Sequence, residues 1–191
     1  MSEMSYIVVR KKIEPYNKKI IMEGDKSLSI RWALLSSQSF SKCRSSNLLL
    51  SEDVINTLNC LKKLGVKIKL TKNLCEIIGV GLNGFKYKKK LLLNAGNSGT
   101  LGRLIMGLLV HSKNDIKITG DKSLSKRDFF RVSRPLGKFG AKYFTNYGKL
   151  PIIIQGTNNP LPITYHETRG SAQCKSAVML AALNTKGETI I

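Results

Sequence analysis

Apolar residues recur along this chain in two alternating rhythms. Val54, Leu58, Leu61 and Leu64 fall at the three-to-four spacing of one helical face. Ser51 stands before that run, Glu52 and Asp53 fill its first turn, and Gly65 follows it, so the pattern predicts a capped helix. Short runs rich in Ile, Val and Leu at 66–70 and 74–78, joined by Thr71, Lys72 and Asn73, predict a hairpin. Further strands are predicted at 7–9, 18–22, 91–93, 116–119, 141–144, 152–154 and 163–165. Helices are predicted at 28–39, after a glycine-rich loop to about His111, at 125–138 and at 171–183. Residues 189–191 begin a strand at the last residue, which suggests a fold that continues elsewhere. The alternation predicts an α/β (α+β) class.

One octapeptide recurs. Gly24-Asp25-Lys26-Ser27-Leu28-Ser29-Ile30-Arg31 returns 96 residues later as Gly120-Asp121-Lys122-Ser123-Leu124-Ser125-Lys126-Arg127, with seven of eight positions identical. Each copy is predicted to follow a strand and open a helix, which predicts repeated supersecondary units. Two other helix starts are built alike, Asn94-Ala95-Gly96-Asn97-Ser98-Gly99-Thr100 with Arg103, and Gly170-Ser171-Ala172-Gln173 with Lys175. The pairs Ser27/Arg31, Thr100/Arg103, Ser123/Arg127 and Ser171/Lys175 put a hydroxyl and a cation on one helical face. Unpaired amide N–H groups and the positive end of the helix dipole meet there, the chemistry of an anion site. Asp25 and Asp121 read as caps or loop anchors. Cys174 reads as a packed thiol, His166 and Glu167 as a solvated loop pair, Lys88-Lys89-Lys90 as a solvated turn, and Trp32 as core. No GxxxxGK[ST] occurs, and no GxGxxG follows a strand, which argues against nucleotide hydrolysis and dinucleotide binding.

Composition narrows the partner. At 42% hydrophobic and 23% charged the chain is globular rather than disordered. Thirty-two Lys and Arg against 12 Asp and Glu give +20, which raises nucleic acid as a partner. Only eight of those cations are arginine, however, and the 24 lysines are scattered. Readers of phosphate and base edges favour the arginine fork, so a small anionic substrate fits better. A non-enzymatic anion or nucleic-acid binding module is the alternative. No apolar run is long enough to span a membrane, and the first twenty residues are too polar for a signal peptide. Four cysteines without CxxC spacing, beside two histidines, predict reduced thiols in a cytoplasmic protein with no metal.

The four loops stand in a recognisable order. With Arg131-Val132, Pro135-Leu136, Gly140-Ala141 and the run from Ser171 through Lys175 to Leu183, they resemble the 5-enolpyruvylshikimate-3-phosphate synthase family (3-phosphoshikimate 1-carboxyvinyltransferases). The resemblance implies transfer of the enolpyruvyl group from phosphoenolpyruvate to the 5-hydroxyl of shikimate 3-phosphate. Phosphate is released through a tetrahedral intermediate, without metal or cofactor, in the shikimate pathway to chorismate and aromatic amino acids. It implies an inside-out α/β barrel of repeated βαβαββ units, incomplete in this chain. Residues 1–15 would give a first strand to another domain. Residues 16–191 would form about two and a half units of the shikimate-phosphate domain, at 16–90, 91–156 and 157–191. By motif position Lys26, Ser27, Arg31, Ser171, Ala172 and Gln173 would hold shikimate 3-phosphate. Lys26, Gly99, Arg127 and Gln173 would hold phosphoenolpyruvate. The catalytic carboxylates are expected in the half not present, so this chain alone is expected to be inactive, and the full-length protein monomeric. The sister transferase acting on UDP-N-acetylglucosamine carries Lys-Asn where this chain has Lys26-Ser27, which disfavours it. The family usually has proline after the second-copy arginine. Here Asp128 stands there, and a carboxylate is expected to compete for Arg127.

Overall fold

The computed structural model describes residues 24–72, 74–168 and 170–191. The strands expected at 7–9 and 18–22, with residues 1–15, lie outside that set. The first described elements are α1 (Lys26–Ser37), β1 (Lys42–Ser46), α2 (Glu52–Lys63), β2 (Lys67–Leu70) and β3 (Leu74–Ile78). Helix α2 buries Val54, Leu58, Leu61 and Leu64, the face its spacing predicts. It stops where expected. Gly65 takes φ +90°, its N–H bonds to Lys62 O, and the Val66 N–H bonds to Leu61 O. That pair of bonds closes a helix only when the residue after the cap is left-handed, which glycine adopts without a Cβ clash.

Strand β1 was not expected. Its Lys-Cys-Arg-Ser-Ser sequence has no apolar alternation. It forms because β3 has two edges to satisfy. The sheet order is β1-β3-β2, antiparallel throughout. Arg44 lies opposite Glu76 in the β1/β3 register, and Arg44 Nε donates to Glu76 Oε1 at 2.6 Å, a cross-strand pair of opposite charge.

Next come β4 (Leu91–Asn94), α3 (Gly99–Leu108), β5 (Ile116–Thr119), a 3₁₀ turn at Leu124–Lys126, α4 (Phe130–Gly137), β6 (Lys142–Asn146) and β7 (Lys149–Gln155). Their sheet runs β4-β5-β7-β6, with β4 and β5 parallel and the other pairs antiparallel. Leu93, Ile116, Ile118, Ile152 and Ile154 line its buried face. The β5-β7-β6 portion has the same order and directions as β1-β3-β2. A third round begins with Thr164, which bridges parallel to Ile190 around α5 (Ala172–Ala182), as β4 pairs with β5 around α3. The strands expected at 163–165 and 189–191 amount to that single bridge.

The repeat therefore has a different period from the one the octapeptide suggests. Helices α1, α3 and α5 begin at Lys26, Gly99 and Ala172, 73 residues apart each time. The second octapeptide follows β5, so it occupies the place of α2 in its round, not that of α1. Nor does it open the helix expected at 125–138. The 3₁₀ turn ends at Lys126, Arg127 is extended at φ −75°, ψ 150°, and α4 starts only at Phe130. Asp128 Oδ1 accepts the Phe130 N–H at 2.7 Å, and the Phe129 N–H goes to Gly148 O at 2.8 Å. Those two bonds break the helix and restart it.

Helix α3 is the centre of the molecule. Every residue of it except Thr100 is buried, the pattern of a helix enclosed on all sides. Helix α5 runs along it at close range. A Cβ on Gly107 would lie well inside 3.0 Å of the Ala177 carbonyl oxygen, so only glycine permits this approach.

Candidate functional site at three helix starts

Helices α1, α3 and α5 are capped in the same way. The side chain of Asp25 accepts the Leu28 N–H at 2.7 Å, Ser98 that of Leu101 at 3.2 Å, and Ser171 that of Cys174 at 3.3 Å. Each cap satisfies the third amide of its helix and leaves the first two without intrahelical partners. Those are the amides of Lys26 and Ser27, Gly99 and Thr100, and Ala172 and Gln173. Five of these six residues are ones the sequence nominates for ligand binding. Asp121 repeats the cap by accepting the Leu124 N–H at 2.6 Å, so both aspartates are caps, as expected.

Side chains tie the three starts together. Arg31 Nη1 donates to Ser27 Oγ at 2.7 Å, and its Nη2 reaches Ser176 Oγ on α5 at 3.4 Å. From α5, Gln173 Nε2 donates to Thr100 Oγ1 at 3.1 Å, while its Oε1 accepts from Arg103 Nη1 at 2.7 Å. Arg103 Nη2 also donates to the Asp128 carbonyl at 3.3 Å, and its guanidinium lies 5.2 Å from the Phe129 ring centroid. Arg127 Nη2 donates to Asn97 Oδ1 at 2.8 Å. Gly99 sits between the two guanidiniums: a Cβ there would stand 3.1 Å from Arg103 Nη1 and 3.1 Å from Arg127 Nη1. Lys26 is anchored differently, by an ion pair of 3.1 Å with Asp53 in the first turn of α2.

The charge here is one-sided. Among the described residues no carboxylate pairs with Arg31, Arg103 or Arg127. Arg103 is only 7% exposed. Burial first, then the guanidiniums of Arg131 and Arg127, push it below the ordinary arginine range. A cation held against such costs is relieved when an anion arrives.

Several expectations change in detail. Asp128 does not engage Arg127; its carboxylate caps Phe130 instead. Ser123 and Arg127 share no helical face, because the helix there stops short. Lys175 is exposed, and Ser176 is the α5 residue that meets Arg31. Trp32 is half-buried against the core, and Lys88, Lys89 and Lys90 are exposed. Cys174 is packed, at 2% exposure. Glu167 is not simply solvated, since the Tyr165 hydroxyl donates to it. Asn97 and Asp53 were missed as site residues, and Thr100 entered only as the hydroxyl of a helix-face pair. Arg103 was noticed only as the partner of Thr100.

A family model for EPSP synthase (3-phosphoshikimate 1-carboxyvinyltransferase) matches residues 10–191. The chain belongs to that family. The 3-phosphoshikimate 1-carboxyvinyltransferase of Ruthia magnifica subsp. Calyptogena magnifica is 46% identical over 168 residues, covering 88% of this chain and 38% of that protein. The enzyme of the same name from Leuconostoc mesenteroides is 41% identical over 174 residues, covering 91% and 40%. The solved EPSP synthase from Acinetobacter baumannii aligns with a TM-score of 0.82 at 36% identity, over 90% of this chain and 39% of that one. The fold class is therefore the inside-out α/β class expected, and the described residues form two open sheets. The chain spans about two fifths of the length of these relatives.

Proposed function

We propose that this chain supplies the shikimate 3-phosphate side of an enolpyruvyl transfer from phosphoenolpyruvate to the 5-hydroxyl of shikimate 3-phosphate, with release of phosphate. The observation that carries this reading is the junction of three capped helix starts through Arg31, Gln173 and Arg103, with no carboxylate among the described residues on either arginine. Two multiply charged anions need such a surface, where amide N–H groups and guanidiniums converge. In this reading Ser27, Arg31, Ser171, Ala172 and Gln173 hold shikimate 3-phosphate. Gly99, Arg127 and Gln173 take phosphoenolpyruvate, and Lys26 touches both.

The reaction adds the 5-hydroxyl oxygen to C2 of phosphoenolpyruvate and a proton to C3. It then eliminates phosphate from C2 of the tetrahedral adduct together with a proton from C3, which restores the C2–C3 double bond. Fixed cations favour the charge on the departing phosphate without reorganising at the moment of reaction. The proton-transfer carboxylates belong, on the resemblance, to the part of the relatives beyond the matched stretch. We place residues 24–191 in the shikimate-phosphate domain as two and a half βαβαββ units, on the strength of the 73-residue period. The compartment proposed is the cytoplasm, supported by four free cysteines.

Calorimetry tests the reading. Shikimate 3-phosphate titrated into the chain should give binding heat, and Arg31→Ala should abolish it. Equal signals from the two would overturn the assignment. With both substrates present, the 191-residue chain by itself should release no phosphate.

A further inference from the structure

The ligand reading assigns Arg103 no substrate contact of its own, yet two of the assigned groups hang on it. A guanidinium carries five donors and no acceptor. The Gln173 amide must therefore turn its oxygen toward Arg103 Nη1, at 2.7 Å, and its nitrogen the other way. Thr100 Oγ1 takes one of the two Nε2 hydrogens at 3.1 Å, so the second remains available to a ligand. The other arm of Arg103 holds the Asp128 carbonyl at 3.3 Å. That bond fixes the extended segment from which Arg127 reaches past Gly99 to Asn97. Phe129, fully buried, backs the guanidinium face.

We propose that Arg103 is a positioning residue: its fork makes Gln173 a hydrogen-bond donor toward the bound anion and holds the Arg127 segment in place. This rests on the enolpyruvyl-transfer reading only for the identity of the anion. An amide free to rotate would present oxygen to an anion about as readily as nitrogen, and the wrong face repels. A lysine at 103 would keep the charge but offer a point donor rather than a fork. Its donors all leave one nitrogen, so it does not reproduce the two-nitrogen span by which Arg103 holds Gln173 and the Asp128 carbonyl.

The test uses the whole chain, with shikimate 3-phosphate and phosphoenolpyruvate as separate probes, and three readouts. Gln173→Glu identifies the Gln173 side-chain amide signals in ¹⁵N–¹H spectra by their disappearance. In the wild type the proton held by Thr100 should be protected from exchange and displaced from the position of a solvent-exposed amide. Arg103→Lys should shift the Gln173 signals toward the positions of a solvent-exposed amide and weaken binding of either probe about tenfold, the scale of one lost charge-assisted hydrogen bond. Unchanged amide signals and unchanged affinity in Arg103→Lys would overturn the proposal. Gln173→Glu, whose carboxylate would pair with Arg103, should keep or raise Tm while losing at least about tenfold in affinity. Affinity equal to wild type in that variant would also overturn it, since the donor would then be irrelevant. A residue serving packing alone would move Tm and affinity together. If the wild type binds neither probe, the transferase reading falls, and the amide spectra still decide whether Arg103 sets the orientation of Gln173.

Discussion

Gly107→Ala is a sharp test of how α5 is held, because two effects of opposite sign compete at that position. In an open helix the change gains about 1 kcal/mol from helix propensity. Here the new methyl would meet the Ala177 carbonyl oxygen and also come within 3.2 Å of Leu180 Cβ. The obstacle is backbone, so no rotamer change relieves it, and α5 must move away by about 1 Å. Overpacking against a rigid partner costs up to roughly 3 kcal/mol. The net loss is then about 2 kcal/mol, a Tm decrease of roughly 4–8 °C for a chain of this size. Gly137→Ala is the control: it lies in α4, and a Cβ there meets nothing within 4 Å. That change should raise Tm slightly, by up to about 2 °C, for a gain of roughly half a kcal/mol near a helix end. Thermal unfolding followed by circular dichroism reads both. Because Gln173 sits one turn before Ala177, displacement of α5 should also weaken shikimate 3-phosphate binding in Gly107→Ala. A Tm at or above wild type for Gly107→Ala would refute the close approach of α3 and α5.

Two further outcomes rest on the same geometry. Gly99→Ala should push the Arg103 and Arg127 guanidiniums apart by a few tenths of an ångström, since a Cβ would stand 3.1 Å from each. Calorimetry should show phosphoenolpyruvate affinity falling roughly tenfold, the scale of one weakened charge-assisted bond, with Tm nearly unchanged. His111 is half-buried, its Nε2 has no partner among the described residues, and burial holds its pKa below the ordinary 6.5. The unfolded chain then binds a proton that the folded chain resists. Stability should fall as pH drops from about 7 to about 5, and His111→Asn should flatten that fall in urea midpoints. Parallel pH curves for the two proteins would remove His111 as the cause.

Helix α2 was legible because every local signal agreed: the apolar spacing, the acidic first turn and the left-handed Gly65. Strand β1 was not, because nothing in Lys42–Ser46 favours a strand until β3 presents an edge and Glu76 meets Arg44. The positions at the helix starts were also readable, since a cap followed by small residues is a local pattern. The bonds between them were not. Arg103 and Gln173 lie 70 residues apart, and only the packing of α5 on α3 brings them together. Lys26 and Asp53 meet through the packing of α1 on α2, and the sequence suggested no more for Asp53 than a first-turn charge.

The octapeptide shows how far identical local sequence can carry structure. Both copies make the same cap, Asp25 to the Leu28 N–H and Asp121 to the Leu124 N–H. One cap then leads into a 12-residue helix and the other into a single 3₁₀ turn. A cap satisfies one amide and is worth about 1 kcal/mol, which starts a helix without sustaining it. Propagation depends on the residues beyond the cap. Ile30, Ala33 and Leu34 bury themselves fully and carry α1 onward. In the second copy Asp128 diverts the Phe130 amide, and Gly148 takes that of Phe129. The consequence is chemical as well as structural. In the first copy Arg31 stays on its helix and folds back onto Ser27. In the second, the interrupted backbone carries Arg127 off the helical path, to Gly99 and Asn97 at the start of α3. The same eight-residue motif thus delivers two arginines by two routes, and the residue after each arginine, Trp32 or Asp128, begins the stretch that decides the route.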